Sequence, residues 1–77
     1  MQVHAFRGPE RIFAFTADDA GTNLPAAYGP WTPFKVLEMI QGQPMPGVEV
    51  DECLDDIAKH GFHLTDRHVR ITEQALG

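Results

Sequence analysis

Val50-Asp51-Glu52-Cys53-Leu54-Asp55-Asp56-Ile57-Ala58-Lys59-His60-Gly61 is the stretch on which the fold turns. At about 100° per residue, Val50, Cys53, Leu54, Ile57 and Ala58 gather on one side and Asp51, Glu52, Asp55, Asp56 and Lys59 on the other. The pattern predicts a helix over 51–60 with one face that must be buried. Asp51 is the expected N-cap, and the early acids suit the positive end of the helix dipole. Asp55 precedes Lys59 by four residues, the favourable order for a helical ion pair. Gly61 is placed to end the helix in a left-handed conformation.

The buried face needs a counterpart, and the start of the chain supplies one. Residues 2–7 and 11–16 read as strands, with Gly8-Pro9-Glu10 between them as a hairpin loop. A loop of those three residues pairs Arg7 with Arg11, Ala5 with Phe13 and Val3 with Phe15. One face is then wholly apolar, and the other carries His4, Phe6, Ile12 and Ala14. Residues 34–40 are short and flanked by Pro33 and the Gly42 to Gly47 breakers, so they read as a third strand. Phe34, Val36 and Ile40 lie on one of its faces, Leu37 and Met39 on the other. Beyond Gly61, residues 67–72 alternate, predicting a strand with Val69 and Ile71 inward and His68, Arg70 and Thr72 outward. A helix starting at Thr65 is the competing reading, opposed by β-branched Val69, Ile71 and Thr72.

The expected fold is α+β in the order β-β-β-α-β, a mixed three- or four-stranded sheet with one helix packed on one face. A strand–helix–strand step normally enters a parallel neighbour. The 77 residues suit a single domain, 1–77. One short helix covers one sheet face only. The other face, with Phe6 and Ile12, must be covered by the long 17–32 connection, which holds Tyr28 and Trp31, or by a second chain.

Charge narrows the function classes. A net charge of −5 argues against a dedicated nucleic-acid binder, whose affinity comes from neutralising phosphates. No apolar run approaches the ~20 residues of a membrane span. Cys53 is the sole cysteine, so no internal disulfide forms, and no secretory leader is evident. A cytoplasmic protein is the expectation.

The chain has no serine, which removes serine-based catalysis. His60, His63 and His68 cluster in sequence and, with an acid such as Asp66, are the candidate metal ligands, though their spacing matches no tight metal signature. Arg7, Arg11, Arg67 and Arg70 are the candidate anion patch. The pairs Asp18-Asp19 and Asp55-Asp56 read as solvated carboxylates, since neighbours on a helix point about 100° apart. No catalytic residue and no cofactor are assigned.

Tyr28-Gly29-Pro30-Trp31-Thr32-Pro33-Phe34, Val50 to Ile57 and Gly61-Phe62-His63-Leu64-Thr65-Asp66 together resemble a group of short uncharacterised bacterial proteins. The resemblance implies a stand-alone bacterial protein and brings no activity, ligand or catalytic residue. The functional expectation is therefore a small interaction or regulatory domain, self-associating or binding a protein partner. Phe6, Ile12, Tyr28 and Trp31 with the acidic Asp51, Asp55 and Asp56 are its expected surface. The alternatives are a metal-binding or hydrolytic domain using the histidines and a nucleic-acid-associated protein using the arginines.

Overall fold

The structure, a computed structural model, describes residues 1–66 and 69–72. The fold is α+β: β1 (Gln2–Arg7), β2 (Ile12–Thr16), β3 (Thr32–Glu38), α1 (Val50–His60), β4 (Phe62–Asp66) and a two-residue β5 (Val69–Arg70). The strands form one sheet in the order β3-β1-β2-β4-β5, with α1 on one face. Among the described residues no helix is long and apolar enough to cross a membrane.

The hairpin loop has three residues, as expected, but is shifted by one, to Pro9–Arg11. Gly8 donates its N–H to the Ile12 carbonyl at 2.8 Å and closes the ladder. Pro9 has no N–H for that task and takes the first loop position, while Glu10 and Arg11 carry the positive φ angles the turn needs. The pairs become Arg7 with Phe13 and Ala5 with Phe15. The shift moves the register by two residues, so side-chain faces are unchanged. Val3, Ala5 and Phe15 pack with Leu37, Met39, Val50, Cys53 and Ile57 in the core beneath α1, and Phe13 lies against its margin.

Every neighbouring pair of strands is antiparallel, so the sheet is not mixed and the parallel crossover does not occur. The reason lies in residues 39–49. They run back along the sheet and bring Pro44 to Val48 beside Phe13 and Phe34, at the end where β2 and β3 begin. The helix then descends, and its Gly61 cap reaches Thr16 at the end of β2. The linker is the ascending leg, so β4 enters antiparallel to β2. Gly42 and Gly47, at φ +81° and +74°, form the turns that steer it.

The last strand falls earlier than expected, at Phe62–Asp66 with a short return at Val69–Arg70. Ile71 is buried, as expected, but so is Thr72. Arg67, His68 and 73–77 lie outside the described residues, as does the side chain of Val69. Glu49, not Asp51, occupies the N-cap, and Asp51 instead accepts a 2.7 Å hydrogen bond from the Gly42 N–H, tying linker to helix. Asp55 and Lys59 are not among the ion pairs of the described residues. Gly61 caps the helix at φ +90° and donates to the Ile57 carbonyl.

The long connection covers the second face. Leu24, Tyr28 and Trp31 pack on Phe6, Ala14, Phe62, Leu64 and Ile71. Trp31 is pinned by its indole N–H to the Pro25 carbonyl at 3.0 Å. Asp18 accepts from the N–H groups of Ala20 and Thr22 and from the Thr22 hydroxyl, which fixes the first turn. Asn23 and buried Thr16 both meet the Gly61 carbonyl, joining this loop to the end of α1. Gly21 lies flat on the Phe6 ring at φ +67°, where an added Cβ would stand 2.8 Å from Cζ of that ring. Gly21→Ala is therefore expected to cost about 2 kcal/mol, from the left-handed backbone and the clash together. Urea unfolding followed by the fluorescence of Trp31 measures it, and an unchanged midpoint would show that this loop does not close the second core.

Candidate functional site

The helix is rolled relative to its apolar stripe. Its buried residues are Val50, Cys53, Asp56 and Ile57, while Ala58 is exposed. Asp56, expected on the solvated face, is 1% exposed. What draws it inward is a set of donors from the end of the chain. The Arg70 guanidinium grips both carboxylate oxygens, Nε to Oδ2 at 2.9 Å and Nη2 to Oδ1 at 2.5 Å. His63 Nδ1 lies 2.7 Å from Oδ2, and the Thr72 hydroxyl donates to the same oxygen at 2.9 Å. Thr72 also accepts from the Leu64 N–H at 2.8 Å, which binds the cluster to β4.

Burial alone would raise the Asp56 carboxyl. The hydrogen bonds from Arg70, His63 and Thr72 outweigh it and hold the pKa at about 2. An ionised carboxylate only accepts, so His63 carries its proton on Nδ1 and donates to Asp56. No buried side-chain nitrogen or oxygen among the described residues lacks a partner. The side-chain hydrogen bonds of His63 run through Nδ1, and the residue lines the open space beside α1.

That space is a cleft of about 650 Å³ between the ascending linker, the start of α1 and the sheet. Phe13, Phe15, Phe34 and Leu37 give it an apolar floor, and Met45 and Val48 form the linker wall. Glu49 and Glu52 stand on the helix side, with Lys35 opposite. Phe34 reaches the cleft because of a β-bulge between β1 and β3 at Ala5/Phe6, which turns it towards Phe13, 5.8 Å away between ring centroids. Arg7 lies over the Phe34 ring at 4.8 Å and Lys35 at 5.3 Å.

Of the histidine cluster expected from sequence, His60 does not join His63 in a group of possible metal ligands among the described residues. His60 is half-buried on the last turn of α1, and His68 is outside the described residues. The groups that converge are Glu52, Asp56 and His63. They fit a cation poorly, because the Asp56 oxygens are already taken and Arg70 supplies the positive charge, 3.8 Å from Glu52 as well. Among the described arginines, Arg7, Arg11 and Arg70 have separate surroundings. Arg7 lies opposite Phe13, Arg11 sits in the turn, Arg70 is bound to Asp56, and Arg67 is outside the described residues. Of the expected contact surface, Phe6 is 3% exposed, Ile12, Tyr28 and Trp31 are half-buried in the second core, and Asp51 and Asp55 remain exposed.

Sequence reasoning missed the cleft and the Asp56–His63–Arg70–Thr72 cluster. The recoverable signal was the alternation Phe62-His63-Leu64-Thr65, which puts His63 and Thr65 on the helix side of the sheet. Comparison with protein-family models, curated proteins and solved structures returns no match, so the chemistry rests on this geometry.

An Asp–His pair beside a cleft can orient an imidazole, but catalysis by a nucleophile of this chain finds neither serine nor thiolate. Burial, then the charges of Asp56 and Glu52, pushes the Cys53 thiol up to about 12. The cluster's measurable role is to fasten β4 and β5 to α1. The folded Asp56 pKa lies below the ordinary value of about 3.9, so its stabilisation is complete above that value and fades as pH falls towards 2. Asp56→Asn is expected to cost about 3 kcal/mol at neutral pH, by leaving Arg70 and His63 without their anion. The gap between the two proteins should narrow by about 2 kcal/mol on acidification from neutral towards pH 2, as the wild-type carboxylate is protonated. Denaturation at several pH values tests this; a gap that stays constant would rule out the charged pair as its source.

Proposed function

We propose that this chain is a small protein-interaction domain, and that its binding surface is the cleft on the helix side of the sheet. The observation that carries the reading is the cleft's size and lining. At about 650 Å³ it falls in the range of ligand sites, with an apolar floor and a few convergent polar groups. Glu49, Glu52 and His63 are among its lining residues. Exposed Asp51 and Asp55 extend the negative charge along the same helix. The guest that fits is an extended polypeptide segment with one large apolar side chain, flanked by Lys or Arg. The apolar group fills the space over Phe13 and Phe34, while the cation meets the glutamates. Acidic charge along the rim steers such a partner and sets its orientation. A cytoplasmic setting suits a chain whose single thiol is buried and inert.

Selection from a random peptide library, followed by fluorescence anisotropy on the selected peptides, tests the proposal. The expected outcome is an apolar residue next to a basic one and affinity that falls as salt is raised. Phe34 is 46% exposed, so Phe34→Ala is expected to leave stability nearly unchanged and weaken binding about tenfold. A selection with no apolar–basic pattern, or binding indifferent to Phe34→Ala, would remove the cleft as the docking surface.

A further inference from the structure

The strand side of the cleft carries a further inference, which rests on the cleft being the docking surface. We propose that the segment it takes is the C-terminal end of a partner chain. The free carboxylate is held by Lys35 and Arg7, and the last side chain lies on Phe34. In a regular strand neighbouring side chains leave on opposite faces. The bulge between Ala5 and Phe6 breaks that rule in β3, and both Phe34 and Lys35 line the cleft. Lys35 Nζ lies 5.3 Å from the centre of the Phe34 ring, and Arg7 Cζ lies 4.8 Å from it. Arg7 also lies over Phe13, at 5.6 Å. Two cations from the strands therefore stand against the aromatic floor, whereas the acids Glu49 and Glu52 come from the helix side.

Neither Lys35 nor Arg7 belongs to an ion pair among the described residues, and both side chains are exposed. A cation resting on a ring keeps its donors: those of the guanidinium lie in its own plane, and those of the ammonium rotate. The ring holds each charge in place without neutralising it, and a carboxylate is the anion such donors bind best. Glu52 differs, since Arg70 already stands 3.8 Å from it.

Because both cations touch the ring, the anion has to stand close to the apolar group that covers it. A side-chain carboxylate of an extended segment does not meet that condition. The residue beside the anchor points to the opposite face, and the next one stands about 7 Å along the chain. The anchor's own α-carboxylate is bonded to its Cα and arrives with it, and only the last residue of a chain has one. The guest then runs from the strand side towards the helix. A Lys or Arg shortly before the end has a side chain long enough to reach Glu49. The charges of guest and cleft match in this direction only, so one orientation is favoured.

Selection from two random peptide libraries tests the contact, one displayed with free C-terminal ends and one with the random residues inside a longer chain. The free-end library should yield peptides with an apolar last residue and a basic residue shortly before it. In fluorescence anisotropy these peptides should bind about tenfold more weakly once the carboxylate is converted to the amide. The net charge of −5 on the domain would by itself favour the amide, so this preference has to come from a local contact. The double variant Lys35→Gln with Arg7→Gln should bind acid and amide alike, with its unfolding midpoint retained. Should that variant unfold, Lys35→Gln alone should reduce the preference by at least about threefold. Equal binding of acid and amide by the wild-type protein would overturn the proposal, as would a preference that survives these variants. Binders from the internal library alone, weakened by Phe34→Ala, would overturn it and leave the cleft as the docking surface. No binder from either library would remove both.

Discussion

A single buried carboxylate organises the C-terminal half of this molecule. Asp56 is out of water, and an ionised group there is tolerable only if its charge and its lone pairs are answered. Arg70 answers the charge, and His63 and Thr72 complete the hydrogen bonding. These partners come from β4, β5 and the residue pair just beyond, so satisfying one side chain positions three segments at once. The hydrophobic face of α1 alone would fix its distance from the sheet but leave its rotation loosely defined, because burial is non-directional. The bidentate arginine supplies the direction. It explains why the helix is turned so that Asp56 enters and Ala58 leaves the core.

The two sheet faces are closed by different means, and that asymmetry creates the site. On one face the loop with Leu24, Tyr28 and Trp31 lies directly on the strands, close enough that Gly21 touches the Phe6 ring. On the other, an eleven-residue helix and the linker leading into it must both cross the same sheet. They do not meet over the end where β2 and β3 begin, and the space between them is the cleft. Its aromatic floor is part of the same apolar surface that the helix covers further along. The cleft thus follows from the linker being the ascending leg of the crossover.

Much of this was legible in the sequence, and the limits have physical causes. The helix from Val50, its glycine cap and the hairpin were marked by periodicity and turn chemistry. The facing set Val3, Ala5, Phe13 and Phe15 survived a displaced loop because a two-residue register shift preserves side-chain direction. Asp56 was misread because a helical wheel assigns every charge to solvent, and its ionic partner is fourteen residues further on. Strand direction failed for a related reason: the crossover rule assumes that the helix is the return leg, and nothing in the pattern of residues 39–49 shows that the linker climbs. The bulge that aims Phe34 into the cleft arises from the pairing of two strands and has no signature in either one.

The cluster and the cleft are joined at His63. Asp56 fixes the imidazole by its Nδ1 side, and the same residue lines the cleft. The same carboxylate is bound to Arg70, and Arg70 lies near Glu52 on the cleft rim. A cation entering beside Glu52 therefore meets a site whose charge is partly answered already. The structural ion pair weakens electrostatic attraction at Glu52, whereas Glu49 takes part in no ion pair among the described residues. For the basic segment proposed as guest, selectivity then depends on how far its positive charge stands from the apolar group that anchors it.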